Sequence, residues 1–198
     1  MTLIIGLTGG IGSGKTTIAK LFNILGVPIY YTDVEAKKLM HNSKIIKRRL
    51  IAKFGDKVYQ DNTLNRSFLA NLVFTNKENL KYLESVVHPK VNQHFKRWLK
   101  KQNKPYILQE NAILFENGSD KLCDYVLTVT APIKVRINRV IKRDKVTEKQ
   151  VVERMNNQWS DEKKINKSDF VINNITLKES EKLVLEIHNK ILQLSKKL

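Results

Sequence analysis

Gly9-Gly10-Ile11-Gly12-Ser13-Gly14-Lys15-Thr16 sets four glycines within residues 9–14 and follows them with Lys-Thr, matching G-x-x-x-x-G-K-[ST]. Each part of that spacing has a mechanical use. Glycines let the backbone wrap a phosphate and aim consecutive N–H groups inward, and a helix starting near Lys15 adds its N-terminal partial charge to the same point. Lys15 can reach β- and γ-phosphates, and the Thr16 hydroxyl can ligate Mg²⁺. A Gly-rich turn with an incidental lysine does not explain the pattern, so residues Gly9 to Thr17 are read as a nucleoside triphosphate cradle.

Two further groups carry chemistry. Asp33 follows the apolar run VPIYY (27–31). Its spacing leaves two roles open: a general base for an acceptor hydroxyl, or the cap of the helix that follows. Arg136, Arg139 and Arg143, at i, i+3 and i+7, share a helix face, with Arg154 and Gln158 at i, i+4 one helix later. Arginine forks suit phosphate oxygens. The competing reading is a solvated basic face paired with Asp144 and Glu148. His88, before Pro89, reads first as a structural histidine at a helix break. Trp98 and Trp159 read as packing before adenine stacking, and the four histidines show no metal-ligand spacing.

These residues need a scaffold. Residues 2–7 are a short apolar, β-branched strand, and the run 15–25 switches to helical period and stops at Gly26. With 27–31 as the next strand, this is a βαβ unit. From 33 to 103 the pattern reads as almost wholly helical, with no strand and a break at His88-Pro89. Strands return at 106–110, 125–130 and 169–173, with helices at 133–143, 147–158 and 177–197. The alternation predicts an α/β fold: a parallel sheet with helices on both faces, and ligands at the carboxyl ends of the strands. The expected division is a core of 1–32, 104–135 and 168–198, a helical acceptor insertion 33–103 and a lid 136–167.

Composition narrows the class. The 198 residues are 41% hydrophobic and 28% charged with 8 Gly and 4 Pro, which excludes collagen-like, Pro-rich and wholly disordered chains. One cysteine, Cys123, leaves no intramolecular disulfide or multi-cysteine zinc site and fits a reducing, cytoplasmic setting. No apolar run approaches the roughly 20 residues of a membrane span, and MTLIIGLTGG does not read as a signal peptide. The net charge of +17 attracts polyanions, although most of the cations are lysines scattered along the chain, which reads as a solvated surface. The chain lacks an N-K-x-D guanine reader, and Glu110 is its only carboxylate at a strand end comparable to those of ATPase motors. A small-molecule kinase remains, against two alternatives: a kinase for mononucleotides or another metabolite, and an ATP-dependent nucleic-acid-binding protein.

The pattern resembles the dephospho-CoA kinase family nearly end to end. Gly6 to Thr17 is close to that family's own phosphate loop. Thr32-Asp33 with Glu35-Ala36-Lys37, Asp61 to Arg66 with Phe74, Val87-His88-Pro89, Ala112 to Glu116, the lid arginines with Gln158, and Asp169 to Asn174 resemble its further motifs. Tyr31 departs by standing where many members carry a first Asp, and Ala112 by replacing a Pro. The resemblance implies a P-loop NTP hydrolase fold and ATP-dependent phosphorylation of the ribose 3′-hydroxyl of dephospho-coenzyme A. It implies Asp33, Lys15 and Arg139 as catalytic residues. Gly9, Gly10, Ile11, Gly12, Ser13, Gly14, Lys15, Thr16, Thr17, Arg143 and Asn174 would bind ATP. Asp33, Arg66 and His88 would bind the acceptor, and Thr16 would hold Mg²⁺. ATP and dephospho-CoA are then the partners, with no specific nucleic acid, no membrane and a monomer expected.

Overall fold

The structure, a computed structural model, describes residues 2–196; the side chain of Phe74 and the expected helix end at 197 lie outside that description. The chain divides into two compact units, residues 1–30 with 102–198, and residues 31–101.

The first unit is built on a five-stranded sheet of order β2-β5-β1-β6-β7. Its strands are β1 (Leu3–Thr8), β2 (Ile29–Tyr31), β5 (Tyr106–Glu110), β6 (Tyr125–Thr130) and β7 (Phe170–Asn173). β1 is central. It pairs in parallel with β5, from Leu3 opposite Tyr106 to Leu7 opposite Glu110, and with β6, from Ile5 opposite Tyr125 to Thr8 opposite Thr128. β6 pairs in parallel with β7. A strand flanked on both edges and covered by helices must be apolar along its length, and Leu3, Ile5 and Leu7 are buried accordingly.

The helices of this unit are α1 (Lys15–Ile24), α6 (Ile133–Asp144), α7 (Glu148–Asn156), α8 (Asp161–Ile165) and α9 (Leu177–Ser195). α1 buries Ile18, Ala19 and Phe22 on one stripe. It ends as the sequence predicts. Gly26 adopts φ 81°, its N–H donates to Asn23 O at 2.9 Å, and Val27 N–H donates to Phe22 O at 3.1 Å, the paired bonds of a Schellman motif. α8 is unanticipated, because a five-residue helix is too short to show a period.

The second unit holds α2 (Thr32–Asn42), α3 (Lys44–Phe54), α4 (Arg66–Phe74) and α5 (Lys77–Leu99). It corrects the expectation of a helical block without strands. Between α3 and α4 lies a hairpin of β3 (Tyr59–Gln60) and β4 (Thr63–Leu64), paired antiparallel. Its turn residues Asp61 and Asn62 stand at φ 47° and 64°, as a type I′ turn requires. A second correction concerns α5, which runs without a break through His88 and Pro89. Proline removes one ladder bond, here the one to the Ser85 carbonyl. Ser85, His88 and Pro89 all lie on the exposed side, where water can take that carbonyl, while Val86, Val87, Val91 and Phe95 hold the buried side.

Candidate active site

β1 ends at Thr8 and α1 begins at Lys15, so the glycine-rich turn sits at the carboxyl end of the central strand and opens a helix. Gly12 and Gly14 adopt φ 80° and 88°, conformations that side chains disfavour. A Cβ on Gly10 would collide with the Arg136 guanidinium, and one on Gly14 with the Asn174 amide. Ser13 Oγ is buried without a hydrogen-bond partner, and the Thr16 and Thr17 side chains are exposed on the first turn of α1. Lys15 forms an ion pair with Glu110, which is 5% exposed at the end of β5. Register explains the encounter: Glu110 lies opposite Leu7, next to the loop's root.

The arginine stripe of α6 divides by position. Arg136 is buried; its Nε donates to Ile11 O at 2.9 Å and its Nη1 to Asp161 Oδ2 at 2.6 Å. Arg139 is half-buried, and its guanidinium donates to the carbonyls of Asn174 (3.1 Å), Ile175 (3.3 Å) and Ser13 (3.5 Å). Arg143 is exposed and pairs bidentately with Asp144, which also accepts from Arg154. Asp144 is held below the usual carboxylate range, first by the Arg143 hydrogen bond, and Arg143 is raised in turn. The two outer arginines therefore match the solvated-face reading, while Arg136 and Arg139 engage the loop.

Three connections escaped sequence reasoning. Gln158 Oε1 accepts from Ile11 N–H at 2.8 Å. Asn174 Nδ2 donates to Ser13 O at 2.8 Å, with its Oδ1 fixed by Ser180 Oγ. Lys164, fully buried, donates to Glu116 Oε1 at 2.9 Å and to Ala112 O at 3.0 Å, which ties down the turn after β5. Each links residues more than forty positions apart, so no local pattern announces it. Trp159 stacks on Phe115 (5.8 Å, 2°) and Trp98 on Phe95 (6.2 Å, 23°), so both tryptophans pack within the protein.

In the second unit Asp33 is exposed at the second position of α2, whose N-cap position is Tyr31, without a side-chain cap. The capping role for Asp33 is thus set aside, although a carboxylate in the first turn still suits the helix dipole. A cleft of about 730 Å³ opens between α2, the hairpin and the start of α4. Lys37, Lys38 and His41 line one side, with Thr63, Leu64, Arg66 and Ser67 on the other. Arg66 is the first residue of α4; His88 is exposed on α5 and does not line this cleft.

The model of the dephospho-CoA kinase family matches residues 3–179, from the first strand into α9. The chain belongs to the dephospho-CoA kinase family. It is 38% identical over 173 residues to the dephospho-CoA kinase of Fusobacterium nucleatum, covering 87% of this chain and 89% of that protein. It is 35% identical over 175 residues to that of Bacteroides fragilis, covering 88% and 85%. The solved dephospho-CoA kinase from Campylobacter jejuni superposes with a TM-score of 0.72 at 26% identity, covering 98% of each chain. As a member of this kinase family, the protein carries the expected α/β P-loop fold. None of its helices, among the described residues, is long and apolar enough to cross a membrane.

Proposed function

We propose that the protein transfers the γ-phosphoryl group of ATP to the ribose 3′-hydroxyl of dephospho-coenzyme A, giving coenzyme A and ADP, the last step of coenzyme A biosynthesis. The observation that carries this reading is the loop at residues 9–17, matched as part of a family that spans most of the chain. Its unpartnered Ser13 Oγ and glycine-only clearances suit a phosphate against the backbone.

Phosphoryl transfer asks the protein for position and charge more than for covalent chemistry. Gly9 to Thr17 hold the triphosphate, and Lys15 leaves Glu110 for the β- and γ-phosphates. Arg139, already at the loop's rim, offsets charge on the migrating group. Asp33 takes the proton of the attacking hydroxyl, and its exposure leaves it open to an acceptor. The acceptor's anionic groups settle in the cleft beside Arg66, Lys37 and Lys38. Asn174 frames the nucleotide side through its bond to the Ser13 carbonyl.

The residues present also fit Mg²⁺. The Thr16 side chain is exposed on the first turn of α1, where one protein oxygen can join an ion held mainly by phosphates and water. Thr16 Oγ1 would supply that oxygen, and the ion would neutralise phosphate charge. We assign the reaction to the cytoplasm and to a monomer acting on small molecules, with nucleic acid bound only through non-specific charge.

ADP release measured across dephospho-CoA, nucleoside monophosphates and simple alcohols tests the assignment. Dephospho-CoA should be strongly preferred. A mononucleotide turned over equally well would refute it, as would turnover stimulated by nucleic acid in a salt-sensitive way.

A further inference from the structure

The outer face of the phosphate loop is gripped by side chains that the transfer chemistry does not use. Ile11 is held at both ends of its backbone, with its N–H on Gln158 Oε1 at 2.8 Å and its carbonyl on Arg136 Nε at 2.9 Å. The Ser13 carbonyl is held by Asn174 Nδ2 at 2.8 Å. Arg136 is itself fixed: its Nη1 donates to Asp161 Oδ2 at 2.6 Å, and that oxygen also accepts from Thr130 Oγ1 at 2.6 Å.

A trans peptide is planar, so its carbonyl and the next residue's N–H point in opposite directions. Drawing the Ile11 carbonyl toward Arg136 therefore aims the Gly12 N–H away from Arg136. Drawing the Ser13 carbonyl toward Asn174 does the same for Gly14. Without these partners either peptide could flip and present an oxygen where the cradle needs a donor, since glycine tolerates both conformations. The loop's glycines are shaped around the braces as well. A Cβ on Gly10 would meet Arg136 Cζ at 2.8 Å and Asp161 Oδ1 at 3.1 Å.

We propose that Arg136 and Gln158 are positioning residues that lock the peptides on either side of Ile11, so that the Gly12 amide faces a nucleoside di- or triphosphate before it arrives. The brace acts on nucleotide affinity through the backbone, with no contact between Arg136 or Gln158 and phosphate. It rests on the nucleotide-binding role of residues 9–17. Gln158 lies in the link between α7 and α8, so the same bond couples that link to the loop.

The test is binding of ADP to the full-length protein by calorimetry, with thermal melting to confirm folding. Wild-type protein that fails to bind ADP refutes the nucleotide reading itself, separately from the brace. Gln158→Leu keeps the side chain's bulk and leaves the Ile11 N–H without its acceptor. It should weaken ADP binding about tenfold, while the KM for dephospho-CoA stays unchanged. Gly10→Ala should also weaken ADP binding, because its methyl displaces Arg136. Added to Arg136→Ala, where the clash is gone, it should cost markedly less than in the wild type. Should Arg136→Ala fail to fold, the Gln158→Leu comparison still decides. ADP affinity in Gln158→Leu within about twofold of wild type overturns the proposal. A Gly10→Ala cost that is equal in both backgrounds overturns it too.

Discussion

The pair between Lys15 and Glu110 makes a quantitative prediction. The two side chains are 13% and 7% exposed, so neither is well screened by water. Removing one partner of a buried pair costs about 3–5 kcal/mol. Glu110→Gln is gentler, because the amide oxygen still accepts from the Lys15 ammonium and only the charge is lost. We expect about 2 kcal/mol of destabilisation in the ligand-free protein. For a chain of this length that is a fall in Tm of about 4–8 °C. Nucleotide binding should move the other way. In the wild type Lys15 must leave a carboxylate to reach a phosphate, and in the variant that competitor is neutral. With EDTA present to exclude divalent cations, ADP should bind about tenfold more tightly to Glu110→Gln, corresponding to 1.4 kcal/mol of the pair's attraction. Differential scanning fluorimetry and calorimetry read the two quantities independently. A Tm within about 1 °C of wild type together with unchanged ADP affinity would show that the pair neither stabilises the protein nor restrains Lys15.

Three other outcomes follow from the site and the core. Asp33→Asn should leave ADP binding intact and lower turnover by about 10²-fold or more; unchanged turnover would remove Asp33 as the base. Arg66→Ala should raise the KM for dephospho-CoA about tenfold at an unaltered KM for ATP, and the reverse pattern in steady-state kinetics would place Arg66 on the donor side. His188 accepts a hydrogen bond from or donates one to the buried Tyr106 hydroxyl at 2.7 Å, and burial lowers its pKa. The unfolded chain therefore takes up the His188 proton first as pH falls, so stability from this site is present above about 6.5 and declines below it. Urea titrations from pH 8 to 5 should show that decline in the wild type and a weaker one in His188→Gln. Identical slopes would refute the assignment.

How much of this was legible in the sequence depended on distance along the chain. The phosphate loop is contiguous, so its function could be read from residues 9–16 alone. Its braces could not, because Ile11 and Gln158, or Ser13 and Asn174, meet only after the sheet has closed. The β3–β4 hairpin was missed because two-residue strands have no alternation to detect, although Asp61-Asn62 is a serviceable turn signal. The break expected at Pro89 failed for a different reason: proline costs α5 one ladder bond, and the Ser85 carbonyl that it frees lies on the exposed side, open to water. The arginine stripe shows what spacing leaves out. Positions i and i+7 share a face but stand about 10 Å apart along the axis, at 1.5 Å per residue. Arg136 therefore reaches the loop while Arg143 ends in solvent beside Asp144.

The sheet order has a consequence for how the molecule is made. The second unit is one unbroken stretch, so a ribosome delivers it whole. β1 leaves the ribosome early, yet its neighbours β5 and β6 begin only at Tyr106 and Tyr125. Until they are translated, β1 has both edges bare and the turn behind it has nothing to shape it. A nascent chain stalled before residue 106 would thus carry a complete phosphate-binding motif and no capacity to use it.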